Sequence, residues 1–202
     1  VTVEEQRYDF SSGELESRFV YSVDGVSTRV SVLTFISRTS PTVALQRVDI
    51  DVSADCELRV TAALETTAAP GEPARRTTAH RNLDGAILWI AAGQRSRCGV
   101  AVAAHLESDD LERVKRDDYG HERGAIRKHF NLRAKKGRRY RVVQYASLVP
   151  GVLHSEPDWQ ASRMVGLAQW HGFDSLREQN RAAWSDLWRG RPVVVGASEE
   201  WQ

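Results

Sequence analysis

Val48-Asp49-Ile50-Asp51-Val52, followed six residues on by Leu58-Arg59-Val60-Thr61-Ala62-Ala63-Leu64, places an apolar side chain at every second position. Side chains alternate across an extended strand, so this period predicts two β-strands, each with one face on a core and one in water. The pattern recurs in both directions along the chain. Upstream, Leu15 to Tyr21 and Val30 to Phe35 flank Asp24-Gly25, a two-residue hairpin turn signal. Downstream come Ile87, Trp89 and Ala91, then Val100, Val102, Ala104 and Leu106, then Ile126, Phe130 and Leu132, with Tyr140 and Val142 as the start of a partner strand. Clean alternation implies antiparallel sheets, and a run of strands without intervening helices favours a β-sandwich over a parallel α/β fold.

Two stretches interrupt the series. Thr66 to Asp84 carries Ala69-Pro70-Gly71-Glu72-Pro73 and Arg75-Arg76 with no apolar period, and it reads as a long loop. Asp109 to Asp118 has eight charged residues in ten with the signs interleaved, the mark of a self-compensating solvated loop.

The period changes after Pro150-Gly151. Ser155-Glu156-Pro157-Asp158 is a helix start, with proline in the first turn and acidic groups where the helix dipole favours them. Ala161, Val165 and Ala168 follow at helical spacing, and Gly172 is placed to close the helix. A second helix is expected from Asp174 or Ser175, with Ser175 and Glu178 at capping-box spacing. Its apolar stripe is Phe173, Leu176, Ala183, Trp184 and Leu187, and it ends near Gly190, before Val193-Val194-Val195. The expected organisation is a β-sandwich over residues 1–150 and a helical linker over residues 151–202.

The 202 residues carry 28 Lys+Arg against 27 Asp+Glu, a formal charge of +1, which argues against a surface built wholly for nucleic acid or anionic lipid. No run approaches the roughly 20 apolar residues of a membrane helix, and no basic-then-apolar signal pattern opens the sequence, so the expected location is cytoplasmic. Cys56 and Cys98 are too few for a disulfide framework or a four-cysteine zinc site and read as buried free thiols.

Catalytic constellations are scarce. Glycoside hydrolysis needs two facing carboxylates about 5 to 9.5 Å apart, one of them protonated. The acidic residues here sit beside Arg and Lys, which favour the ionised form, and Glu65 and Glu107 are the weak candidates. Among six histidines none are paired at the i, i+4 spacing of a helical zinc site. His121 and His129, on one strand, would be too far apart for one metal. Neither a metal nor a cofactor is expected. Arg127 to Arg141 holds eight basic residues and no acidic one. It could track a phosphate backbone, but reads better as a hairpin turning at Lys135-Lys136-Gly137-Arg138 with a basic wet face. Trp89 reads as core, whereas Trp159, Trp170, Trp184, Trp188 and Trp201 crowd the C-terminal quarter. That crowding suggests helices docking on a partner, with Trp170, Phe173, Trp184, Leu187 and Trp188 as the docking residues. A stand-alone sugar-stacking module is the alternative.

Gly172-Phe173-Asp174, Leu176, Arg181, Trp184 and Leu187-Trp188, ahead of Val193-Val194-Val195-Gly196, resemble the linker of glycoside hydrolase family 65. The family pattern there is Gly-Phe-Asp, a Leu, Arg-Ala-Ala-Trp and Leu-Trp; Asn180 departs from it, standing where histidine is often found. Tyr8-Asp9-Phe10 with Gly13-Glu14-Leu15 and Arg18-Phe19, Thr34 to Arg38, and Arg139 to Tyr145 resemble other family stretches more loosely. The resemblance implies a galactose-mutarotase-like sandwich joined through linker helices to an α/α-barrel that lies outside these residues, with the family's opening strands preceding Val1. It further implies an inverting hydrolase or phosphorylase acting on α-glucosides such as maltose, trehalose or kojibiose. The catalytic residues would then be in the barrel and none in this chain. The partners it implies are that barrel, the α-glucoside substrate of the parent enzyme and a second copy in a homodimer, with no nucleic acid or membrane.

Overall fold

The computed structural model describes residues 1–65, 69–80, 82–93, 96–108, 115–119 and 124–190. The strands are β1 (Thr2–Asp9), β2 (Glu14–Val23), β3 (Val26–Ile36), β4 (Val43–Val52), β5 (Cys56–Glu65), β6 (Gly71–His80), β7 (Leu83–Ala91), β8 (Arg97–Ser108), β9 (Lys115–Tyr119), β10 (Ala125–Ala134) and β11 (Tyr140–Pro150). The helices α1 (Pro157–His171) and α2 (Phe173–Trp188) follow. An eight-stranded antiparallel sheet runs β1-β2-β3-β4-β11-β8-β7-β6, and a three-stranded sheet runs β5-β10-β9. The smaller sheet covers one face of the larger, and the helices cover part of the other. The fold is therefore an antiparallel sandwich with a helical third layer, as the alternation and the late change of period predict. None of the described helices is long and apolar enough to cross a membrane.

The three layers enclose two slabs of core. Between the sheets, Ile50, Val52, Leu106, Tyr140 and Val142 meet Ala62, Phe130 and Leu132, and Ile87, Trp89, Val100 and Val102 meet Ile126. On the opposite face, Leu33, Phe35, Val43, Leu45, Ala101, Ala103, Val143 and Tyr145 meet Ala161, Val165, Phe173 and Leu176 of the helices. Strands β4, β8 and β11 feed both slabs from alternate residues. That is why Val100 to Ala104 reads as an unbroken apolar run, since a strand buried on both faces has no wet position to mark the period.

The turn at Asp24-Gly25 takes positive φ at both residues, 50° and 78°, the conformation a tight two-residue hairpin demands. The helix start also follows expectation, with Pro157 in the first turn of α1.

Four expectations are corrected. Within Thr66 to Asp84, residues 71–80 form β6, paired antiparallel with β7 through a register shift at Pro73/Arg75. Strand β6 is the sheet's outer edge, where Pro73 costs no ladder bond, so the sequence there shows neither apolar period nor β-rich composition. In the charged stretch, Lys115 to Tyr119 pairs with β10 as β9, while 109–114 lie outside the described residues. The basic segment Arg127 to Arg141 is not a hairpin, because β10 pairs with β5 and β9, whereas β11 pairs with β4 and β8. Its turn, closed by the Arg138 amide on the Lys135 carbonyl, carries the chain from one sheet to the other. The local sequence specifies a turn but not the sheet beyond it, and burial on both faces draws β11 to the centre of the larger sheet. Finally, no side chain caps α2: Gly172, at φ +80°, ends α1 and starts α2, and the Ser175 hydroxyl accepts from Gln179.

Both cysteines are free, and both are half-buried rather than fully enclosed. Burial raises the Cys98 thiol pKa, which makes it a weak nucleophile.

Candidate docking surface

Helix α1 is seated by small side chains. Ala161, Val165 and Ala168 form its buried face, opposite Ala86, Ala101 and Ala103 of the sheet. Its first turn lies on β8 so closely that a Cβ at Gly99 would fall 2.0 Å from the Pro157 carbonyl carbon. Asp158, buried in that turn, accepts from Arg75 of β6 at both oxygens, at 2.8 and 2.7 Å. Burial alone would raise the Asp158 carboxyl, but the Arg75 fork outweighs it and holds the pKa below the usual value. The opposite side of α1 presents Trp159, Arg163, Gly166, Leu167 and Trp170 at spacings of three and four residues, which puts them on one face. Trp159 is 56%, Leu167 51% and Trp170 80% exposed, an apolar stripe with no cover among the described residues.

Helix α2 is seated mostly by polar groups. Phe173 meets Phe35 edge to face at 5.5 Å, with the Arg47 guanidinium 5.0 Å above its ring, and Leu176 is buried beside it. One turn on, Asn180 is fully buried, donating to the Ser12 carbonyl at 2.8 Å and accepting from the Arg38 amide at 2.8 Å. Glu14, 2% exposed, receives two forks at once: Arg177 at 2.9 and 2.8 Å and Arg181 at 2.7 and 2.8 Å. Burial pushes the Glu14 carboxyl up, yet the two guanidinium groups win and keep it below its ordinary value near 4.5. Trp184 then lies against Gly13, where a Cβ would come within 2.4 Å of the indole Nε1, and Gly13 has φ +65°. Arg38 stands 5.5 Å over the same indole. The Trp188 indole donates to the Phe10 carbonyl at 3.0 Å. The helix therefore grips the turn between β1 and β2 with a buried polar latch.

The expected docking residues thus divide. Phe173 and Trp184 face inward and anchor α2 to its own domain, and Leu187 is half-buried. Trp188 is held through its indole N–H and is 45% exposed, and Trp170 is open to solvent. Trp201 and the Val193 to Val195 stretch lie outside the described residues. Sequence reasoning missed Glu14, Arg177 and Asn180. The available signal was the gap in the α2 stripe: position 180, one turn after Leu176, should be apolar and is Asn.

No pair of facing carboxylates is formed by the two candidates. Glu65 ends a strand of the smaller sheet and binds Arg127, while Glu107 lies on the helix-side face of the larger sheet near His105 and Arg141. In the basic stretch, Arg127, Lys128, Arg133 and Arg141 are paired with Glu65, Asp84, Glu57 and Asp49 respectively. His129 hydrogen-bonds Thr61, and His121 lies outside the described residues. No cluster of three metal-ligating side chains occurs among the described residues.

A family model described as glycosyl hydrolase family 65, N-terminal domain, matches residues 1–187. Among solved structures, a human-microbiome protein provisionally named a kojibiose phosphorylase superposes with a TM-score of 0.76 at 11% identity, over 91% of this chain and 25% of its own. The chain thus spans a quarter of that protein's length. A heparinase III gene product gives a TM-score of 0.43 at 8% identity, over 73% of this chain and 21% of its own. No curated protein matches the sequence.

Proposed function

Because the chain belongs to the N-terminal domain family of glycosyl hydrolase family 65, we propose that it is the non-catalytic supporting domain of an inverting α-glucoside phosphorylase or hydrolase. The exposed face of α1 is its seat for the catalytic domain. The observation that carries this reading is the stripe of Trp159, Leu167 and Trp170 on a helix whose opposite side is fully engaged. Large aromatic groups held on a rigid helix are what a permanent interface buries, because they gain much contact area for little lost side-chain freedom. The proposed division of labour is simple. The sandwich supplies a rigid platform, α1 carries the contact, and proton transfer and attack at the anomeric carbon occur on residues outside this chain.

Incubating residues 1–202 with maltose, trehalose or kojibiose, with and without phosphate, should give no turnover. Release of glucose or glucose phosphate would overturn the reading. Calorimetric titration with α-glucans separates the alternative, since a sugar module would bind and would lose binding on Trp159→Ala, whereas a supporting domain shows no heat.

A further inference from the structure

Gly166 stands in the interior of α1, on its exposed side. Glycine there weakens a helix relative to alanine, because it frees the unfolded backbone and brings no side-chain contact. Elsewhere the fold uses its glycines. The others among the described residues take a positive φ or have a neighbour 3.2 Å or less from where a Cβ would stand, except Gly190, which lies past the end of α2. Gly166 has neither, with nothing within 4 Å of its Cβ position. With Arg163, Leu167 and Trp170 it occupies positions i, i+3, i+4 and i+7 of the exposed stripe. Four such residues form the hole that receives one side chain of a facing helix in knobs-into-holes packing. The floor of this hole is bare backbone.

We infer that an α-helix of the catalytic domain crosses α1 at Gly166, closer than the usual spacing of about 8–10 Å between helix axes, with a large apolar side chain seated over the glycine. This rests on the reading above, in which α1 seats that domain, and it names the element seated there. The face offers indoles, an alkyl group and a guanidinium but no main-chain partner, because the backbone groups of α1 bond within the helix. A loop or lone strand buried on it would leave its own N–H and C=O groups unpaired, whereas a helix satisfies them internally. The twelve residues after Gly190 are too few to supply it. Helix α2 ends beside Phe10, at the turn between β1 and β2, while α1 lies over β7, β8 and β11. From β2 to β8 is four strand spacings, about 19 Å, which takes about six extended residues. The six that remain make under two helical turns, against a stripe from Trp159 to Trp170 about 16 Å long.

Scanning calorimetry of residues 1–202 and of the full-length enzyme tests this with Gly166→Ala and Gly166→Leu. In residues 1–202, where the hole is open, both substitutions raise the unfolding midpoint by about 2–4 °C, since both are better helix formers. In the full-length enzyme the sign reverses: Gly166→Ala lowers the midpoint, and Gly166→Leu fills the hole and separates the single transition into two. A full-length Gly166→Leu variant that unfolds in one transition at or above the wild-type temperature overturns the inference. If Trp170→Glu still separates the transitions, the crossing at Gly166 alone is refuted and the docking reading stands. A lower midpoint in residues 1–202 places the cover within this chain and also overturns the inference, as does a full-length effect that vanishes on dilution, the mark of a second copy. Photocrosslinking from p-benzoylphenylalanine in place of Arg163 or Leu167 identifies the element. Attachment sites three, four or seven residues apart are those of a helix, and sites at alternate residues refute one.

Discussion

Helices α1 and α2 are consecutive, of nearly equal length, and rest on the same sheet, yet they are held by different physics. Helix α1 buries Ala161, Val165 and Ala168 against alanines and sits on Gly99, so along its length its attachment is dispersion and apolar burial over a close approach, with a single buried ion pair, Asp158 with Arg75, in its first turn. Helix α2 has two apolar anchors at its start, and beyond them Asn180, Arg177 and Arg181 carry it onto Ser12 and Glu14. Apolar contact is tolerant of direction; a doubly forked carboxylate is not. The contrast teaches that α1 supplies adhesion while α2 is fixed in direction.

Glu14→Ala should break this contrast most sharply. It strands two arginines around a buried hole and should cost about 3–5 kcal/mol in urea unfolding of this chain, the range for removing one partner of a buried ion pair. Asn180→Ala leaves the Ser12 carbonyl and the Arg38 amide unpaired, at about 1–3 kcal/mol. On the α1 side, Val165→Ala should cost about 2 kcal/mol with no dependence on pH, because only methyl contacts are lost. Trp170→Ala should change the stability of this chain by less than about 0.5 kcal/mol, since its indole is 80% exposed.

Each helix has one acid-sensitive ion pair, Asp158 with Arg75 at the start of α1 and Glu14 with Arg177 and Arg181 beneath α2. Glu14 and Asp158 have folded pKa values held below their ordinary ones. Their stabilisation is therefore fully present above the ordinary carboxylate range and is lost as pH falls through the lower folded values. Unfolding midpoints followed from pH 7 downward should fall for the wild type, and Glu14→Gln, already lacking the charge, should fall less. An equal acid response in both proteins would show that the latch does not contribute.

The strands with one wet face were legible in the sequence, as in Val48 to Val52, and so were the turn at Asp24-Gly25 and the start of α1 at Pro157. Elements whose signals are not local were hidden. Strand β6 carries Pro73 and two arginines because it is an edge, and Arg75 there reaches across to Asp158, 83 residues later. The turn after β10 looks like a hairpin turn because its residues fix a reversal, whereas the choice of sheet belongs to β11, buried on both faces. The latch was hidden for a related reason: Glu14 and Arg177 are 163 residues apart, and charged residues on a helix face ordinarily read as solvated. Family resemblance pointed to the right segment, since Gly13-Glu14 and Arg181 both belong to the matched stretches, without showing that they meet.

The central claim, that the tryptophan stripe of α1 is covered by the catalytic domain, is tested most directly by Trp170→Glu in the full-length enzyme, followed by scanning calorimetry. The account predicts that a single cooperative unfolding transition in the wild type separates into two in the variant, with the transition of this domain close to that of residues 1–202 alone. A variant that unfolds in one transition at the wild-type temperature would contradict it.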